Sequence, residues 1–198
     1  MGKLFCIMGK SASGKDTVYK ALVNDPELHL HTVVPYTTRP IREGEAEGEN
    51  YYFVDESVFC RMAAEGKIIE DRAYNTVDGL WRYFTADDGQ IDFSKGYFII
   101  IGTLEAYVKM AAYFGRESVI PIYIEVEDGQ RLHRAIAREE IQKKPKYAEL
   151  CRRFLADNED FSSEKLAAAG VCKFYENNCL EQCINDIRAD ILKELQKQ

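Results

Sequence analysis

Leu4-Phe5-Cys6-Ile7-Met8 runs directly into Gly9-Lys10-Ser11-Ala12-Ser13-Gly14-Lys15-Asp16-Thr17, and this junction decides the fold. The first five residues form a short apolar run, as in a parallel strand buried on both faces. After the loop, Val18, Ala21 and Leu22 recur at helical spacing, so the order is strand, glycine-rich loop, helix. Gly9 and Gly14 open backbone conformations closed to residues with a Cβ, which lets consecutive N–H groups across Ser11, Ala12 and Ser13 converge on phosphate oxygens. A helix predicted over 14–23 points its positive end at the same anion. Lys15 stands where an ammonium group reaches β- and γ-phosphates and stabilises charge as a phosphoryl group moves. Asp16 occupies the place where Ser or Thr ordinarily helps to hold Mg²⁺, and Thr17 follows it; both are candidate metal ligands.

A chain of 198 residues suits one sizeable α/β core and is too short for two full domains plus a linker. No apolar run approaches the ~20 residues that cross a bilayer, and the N-terminus lacks a signal peptide's long apolar segment, so a soluble, cytoplasmic protein is expected. The net charge of −7 argues against a general binder of nucleic acid or membrane surfaces. Charge is unevenly spread, however. Residues 131–153 carry eight Lys/Arg, among them Arg131, Arg134, Arg138, Arg152 and Arg153, against three acids, as suits a cationic lid over phosphates. The six cysteines are scattered, and the spacing of Cys172, Cys179 and Cys183 matches no zinc pattern, so free thiols are expected.

Strands are predicted at 3–8, 97–101, 119–126 and 171–175, each parted from the next by a helical stretch, which implies a parallel sheet covered on both faces. Helices are predicted over 103–114, 129–141, 146–157 and 180–196, the last with Leu180, Ile184, Ile187, Ile191 and Leu195 on one face. Residues 32–85 read differently. Gly44, Gly48 and many polar residues break up short β-like stretches at His31 to Tyr36, Asn50 to Val54 and Tyr83 to Thr85, with a helix near Ser57 to Ala64. This is the pattern of a small mixed β insertion overhanging the carboxyl edge of the sheet, where open α/β folds bind ligands.

Within it, Tyr36-Thr37-Thr38-Arg39-Pro40-Ile41-Arg42-Glu43-Gly44-Glu45, followed by Gly48, Tyr51, Phe53 and Val54, resembles the nucleoside-monophosphate-binding region of guanylate kinases. The resemblance implies that Arg39, Arg42, Tyr51 and Tyr83 grip the phosphate of the acceptor nucleotide, for which two guanidinium forks and two phenolic donors are chemically suited. It also implies that Glu70 accepts hydrogen bonds from a guanine edge with Thr85 beside it. In the same way Arg134, Arg138 and Arg153 resemble lid arginines over the ATP phosphates, and Asn177 and Asn178 resemble a turn that lies against adenine. Three stretches depart from the family pattern. Pro35 stands where a serine hydroxyl is usual, Ile99-Ile100-Ile101-Gly102-Thr103 lacks two aspartates, and Trp81-Arg82-Tyr83-Phe84 replaces a glycine-bearing tyrosine motif.

The resemblance implies an α/β fold of the P-loop NTPase type: a three-layer parallel sheet (residues 1–31, 86–128 and 158–198), a mixed β insertion binding the monophosphate (32–85) and a basic helical lid (129–157). It implies a Mg²⁺-dependent enzyme that moves the ATP γ-phosphoryl group to GMP, with Lys15, Arg39, Arg134, Arg138 and Arg153 neutralising charge. The same fold also serves other acceptors, another nucleoside monophosphate or ribose 1,5-bisphosphate, and non-catalytic binding modules of scaffold proteins. Monomer and homodimer both remain open.

Overall fold

The computed structural model describes residues 2–42, 44–76 and 79–197; Glu43 of the string quoted above lies outside them. The chain runs through β1 (Leu4–Met8), α1 (Lys15–Val23) and β2 (Leu30–Thr32), then β3 (Tyr36–Thr37), β4 (Tyr52–Phe53), α2 (Glu56–Ala64), β5 (Ile68–Thr76) and β6 (Gly79–Ala86). It continues as β7 (Tyr97–Ile101), α3 (Leu104–Phe114), β8 (Val119–Glu125), α4 (Asp128–Glu140), α5 (Tyr147–Asp160) and α6 (Ser163–Ala168), and ends with β9 (Phe174–Glu176) and α7 (Leu180–Leu195).

β1 is buried at every position because it lies in the middle of a five-stranded sheet of order β2-β7-β1-β8-β9, all of whose pairings are parallel. Its side chains alternate between two faces. Phe5 and Ile7 join Val18, Leu22, Ile187 and Ile191 under α1 and α7, while Leu4, Cys6 and Met8 join Met110, Phe161 and Leu166 under α3 and α6. Each such aliphatic or aromatic side chain stabilises the fold by roughly 1.5–3 kcal/mol when fully buried. The two-faced burial explains why β1, β7 and β8 read as continuous apolar runs.

Two boundaries differ from the sequence-based expectation. The stretch His31 to Tyr36 does not form one strand of the insertion. Its first residues belong to the core sheet through β2, and Val33 N still donates to Ile99 O at 3.0 Å. Pro35, which has no N–H, marks the change of sheet, and Tyr36 then pairs with Phe84. The strand expected at 171–175 forms later, as Phe174–Glu176. Val171 instead closes α6, donating to Leu166 O at 3.0 Å across Gly170, whose φ is +77°, a glycine-ended helix stop.

The second sheet has the order β4-β3-β6-β5. Its β5–β6 hairpin is much longer than the Tyr83 to Thr85 stretch anticipated, because Asp71, Arg72 and Asn75 obscure the apolar alternation. A small core of Met62, Phe84 and Ala86, with Val58, Phe59 and Ile68 packed on it, ties this sheet to α2. Asp55 starts α2 by accepting from Val58 N at 3.1 Å. All six cysteines are free. Among the described residues no helix is long and apolar enough to cross a membrane.

Candidate functional site

The loop after β1 has no room for other residues at its two glycines. A Cβ on Gly9 would sit 2.7 Å from both Ile124 O and Ser13 Oγ. Gly14 has a φ of +83°, and a Cβ there would lie 2.5 Å from Asn177 Nδ2. That amide is a prop: Asn177 Nδ2 donates to Ser13 O at 2.8 Å, and Asn177 N donates to Glu125 O at 2.8 Å. The buried Asn177 thus couples the turn after β9 to the loop from beneath, while Asn178 is exposed. Ala12 holds a φ of +63° without being glycine, a conformation that costs about 1–2 kcal/mol. Gly14→Ala should add a similar strain and displace the Asn177 amide, worth about another 1 kcal/mol. The expected outcome is a lowered Tm with at least tenfold weaker ATP binding by calorimetry, since about 1.4 kcal/mol is a tenfold change.

Lys15 opens α1 beside the exposed carboxylate of Asp16, 4.0 Å away. Burial lowers its pKa, and although Asp16 and Asp157 oppose this, Arg153 and Arg138 add to the lowering. Cations that α1, α4 and α5 bring within mutual electrostatic reach suit a polyanionic ligand. Arg153 Nη2 donates to Ser11 Oγ at 3.1 Å, and Arg134 Nη2 donates to Asn177 O at 2.9 Å. α5 also approaches the loop with acceptors. Asp157 Oδ2 accepts from Ser11 N at 2.7 Å and Asn158 Oδ1 accepts from Lys10 Nζ at 2.8 Å. One of the backbone donors expected to face phosphate is therefore held by a carboxylate of the protein itself, a contact that no spacing in the sequence signals.

The basic segment divides in two. Arg134, Arg138 and Arg153 are exposed around the loop. Arg131 is only 1% exposed, 4.7 Å over the Phe154 ring and 3.5 Å from Asp128 Oδ1, so it links α4 to α5 with its guanidinium nitrogens buried and without a hydrogen-bond partner.

In the second sheet, Arg39 is buried, and its fork donates to both Glu45 oxygens at 2.7 and 2.6 Å. Arg39 Nε donates to Tyr83 Oη at 3.1 Å, and the guanidinium lies 5.1 Å from the Tyr51 ring centre. Hydrogen bonds from Arg39 hold the Glu45 carboxyl below its ordinary range against the opposing effect of burial. Burial also raises the Tyr51 phenol. Arg39, Tyr51 and Tyr83 are thus brought together. Arg42 reaches the cluster through its backbone, donating from N to Glu45 Oε2 at 2.9 Å, while its guanidinium lies 5.9 Å from the Trp81 ring.

Glu70 and Thr85 face each other across β5 and β6, with Thr85 Oγ1 donating to Glu70 Oε1 at 2.9 Å. Glu70 is 2% exposed. Sequence reasoning missed its second partner. Arg72 Nε donates to Glu70 Oε2 at 3.0 Å and Arg72 Nη2 to Glu70 Oε1 at 3.3 Å. The spacing of two residues on one strand, which puts both side chains on one face, is the signal that could have found it. At the end of β7, a Cβ on Gly102 would meet Cys6 Sγ at 2.9 Å, and Ile100 is buried, so the packing leaves no place for a carboxylate there. Among the described residues no three His, Cys, Asp or Glu side chains form a metal-binding group.

A sequence model of the guanylate kinase family matches residues 1–78, the stretch that holds the loop, Arg39, Arg42, Tyr51 and Glu70. A guanylate kinase of Zymomonas mobilis is 42% identical over an alignment of 81 residues that covers 38% of this chain and 37% of that protein. The short high-identity match thus spans well under two thirds of that relative. The guanylate kinase structure from Anaplasma phagocytophilum superposes over 100% of this chain and 88% of its own with a TM-score of 0.70 at 23% identity, a likeness of fold. A guanylate kinase of Leifsonia xyli is 30% identical over 196 residues, covering 97% of this chain and 68% of that protein. Because that alignment runs over nearly the whole chain and two thirds of the relative, the chain belongs to the guanylate kinase family.

Proposed function

We propose that the protein transfers the γ-phosphoryl group of ATP to GMP, giving ADP and GDP. The observation that carries this reading is the pairing of two cationic sites on separate elements: Lys15 with Arg138 and Arg153 near the loop, and Arg39 with Tyr51 and Tyr83 in the second sheet. Phosphoryl transfer asks for two anions held in line and neutralised, with little covalent chemistry from the protein. In this reading the loop amides and Lys15 hold the donor, Arg134, Arg138 and Arg153 cover its phosphates, and Arg39, Arg42, Tyr51 and Tyr83 hold the acceptor phosphate. Arg39 would exchange the Glu45 carboxylate for that phosphate, since both accept the same two-point bond.

Family membership implies Mg²⁺. The exposed Asp16 carboxylate beside Lys15 fits a cation that takes one or two carboxylates and completes its shell with substrate phosphates and water. Asp16 would hold it, with Thr17 as the neighbouring candidate. When bound, Mg²⁺ neutralises charge developing on the phosphates. Asp16→Ala is expected to raise the Mg²⁺ concentration for half-maximal turnover roughly tenfold. Superimposable Mg²⁺ titrations of variant and parent would remove Asp16 from that role.

Steady-state ATP consumption with GMP, AMP, CMP, UMP and ribose 1,5-bisphosphate as acceptors tests the reading. GMP should give the highest kcat/KM. A higher value for ribose 1,5-bisphosphate would transfer the reading to the sugar phosphate, ATP consumption without any acceptor would point to a hydrolase, and no consumption under any condition would point to a binding module.

A further inference from the structure

We propose that Arg72 competes with the acceptor base for Glu70 and so sets how sharply the acceptor site separates guanine from other bases; this rests on the reading of the second sheet as the GMP site. A carboxylate has two oxygens and about four lone-pair positions. Of those on Glu70, one is taken by Thr85 at 2.9 Å and two by Arg72 at 3.0 and 3.3 Å. The N1–C2–N2 edge of guanine is itself a planar guanidine fragment with two parallel N–H donors, so it makes the same two-point contact as the arginine fork. Both cannot occupy the same pair of oxygens.

Arg72 is built into the site, not draped over it. Its side chain is 13% exposed, Nη1 donates to Thr103 Oγ1 at 3.4 Å at the start of α3, and the guanidinium lies 6.0 Å from the Tyr83 ring. Guanine must therefore displace Arg72 from Glu70, which weakens GMP binding. The pair also softens the penalty for a wrong base. A buried carboxylate without a partner strongly disfavours adenine, whose N1 offers only a lone pair, because the loss of a charged group's partner is costly. An arginine already paired to that carboxylate supplies the partner whichever base is present.

The test compares the parent chain with Arg72→Ala and Arg72→Gln, the second keeping a neutral donor beside Glu70 in case the first fails to fold. The kcat/KM ratio of GMP to AMP should rise about tenfold or more in Arg72→Ala and less in Arg72→Gln. KM for GMP should fall, while KM for ATP moves less than about threefold. GMP should also raise the Tm of the variants more than that of the parent. If the parent phosphorylates GMP and the folded variants keep the parent's base ratio, Arg72 is a packing residue and the proposal fails while the guanylate kinase reading stands. If neither parent nor variants phosphorylate any nucleoside monophosphate, the guanylate kinase reading fails and takes the proposal with it.

Discussion

Lys15→Met is expected to lower kcat by about three orders of magnitude while leaving the protein folded, because an aimed cation at developing phosphoryl charge is worth roughly 10²–10³ or more in rate. The fold should tolerate the change. Lys15 is half-buried at the start of α1, and the desolvation that lowers its pKa, with Arg153 and Arg138 adding to the effect, means that the folded state works against its charge. Methionine fills similar volume without that charge, so the Tm should hold or rise slightly. A folded Lys15→Met protein with unchanged turnover would remove the loop from the chemistry. A fall in activity that tracked a fall in Tm would make the lysine structural.

Arg39→Ala is expected to raise KM for GMP by about two orders of magnitude and KM for ATP by far less, because two charge-assisted hydrogen bonds at about 1.5–3 kcal/mol each are lost from the acceptor side alone. This substitution should also destabilise the second sheet. It strips Glu45 of the fork that holds its carboxyl low, and it removes the cation packed 5.1 Å from Tyr51 and 5.5 Å from Phe53. Arg39→Lys separates the two effects. Charge and much of the packing return, so stability should largely recover, but an ammonium cannot make the planar two-point bond and KM for GMP should stay high. Equal KM values for GMP in the parent and in a folded Arg39→Ala protein would displace the acceptor phosphate from this cluster.

The loop after β1 was legible because its signals are local and steric. The strand β1, the two glycines and Lys15 occupy one continuous stretch, and the structure supplies the reason for each glycine: carbonyl 124 beside Gly9 and the Asn177 amide against Gly14. Arg39, Tyr51 and Tyr83 were legible only through their resemblance to a family pattern, since the contact of Arg39 with Tyr83 spans 44 residues. What escaped were contacts that depend on docking or register. Asp157 meets Ser11 N only because α5 docks on the loop. Arg72 meets Glu70 because both lie on one face of β5, two residues apart, a spacing that shows only once a stretch as polar as Glu70 to Asn75 is recognised as a strand. α6, six residues long, is defined by its ends, Ser162 accepting from Lys165 N and Gly170 stopping the helix, and carries too short an apolar pattern to read from sequence. The end of β7 shows the reverse case. The missing aspartates were visible at once, and the packing of Cys6 against Gly102 gives their absence a steric reason.

The central claim is that the γ-phosphoryl group passes from ATP to GMP on this chain. Incubation with γ-labelled ATP, Mg²⁺ and GMP, followed by separation of the products, tests it most directly. The account predicts label in GDP in a one-to-one ratio with ADP formed, lost in Lys15→Met. Label in inorganic phosphate alone, at a rate indifferent to GMP, would contradict it.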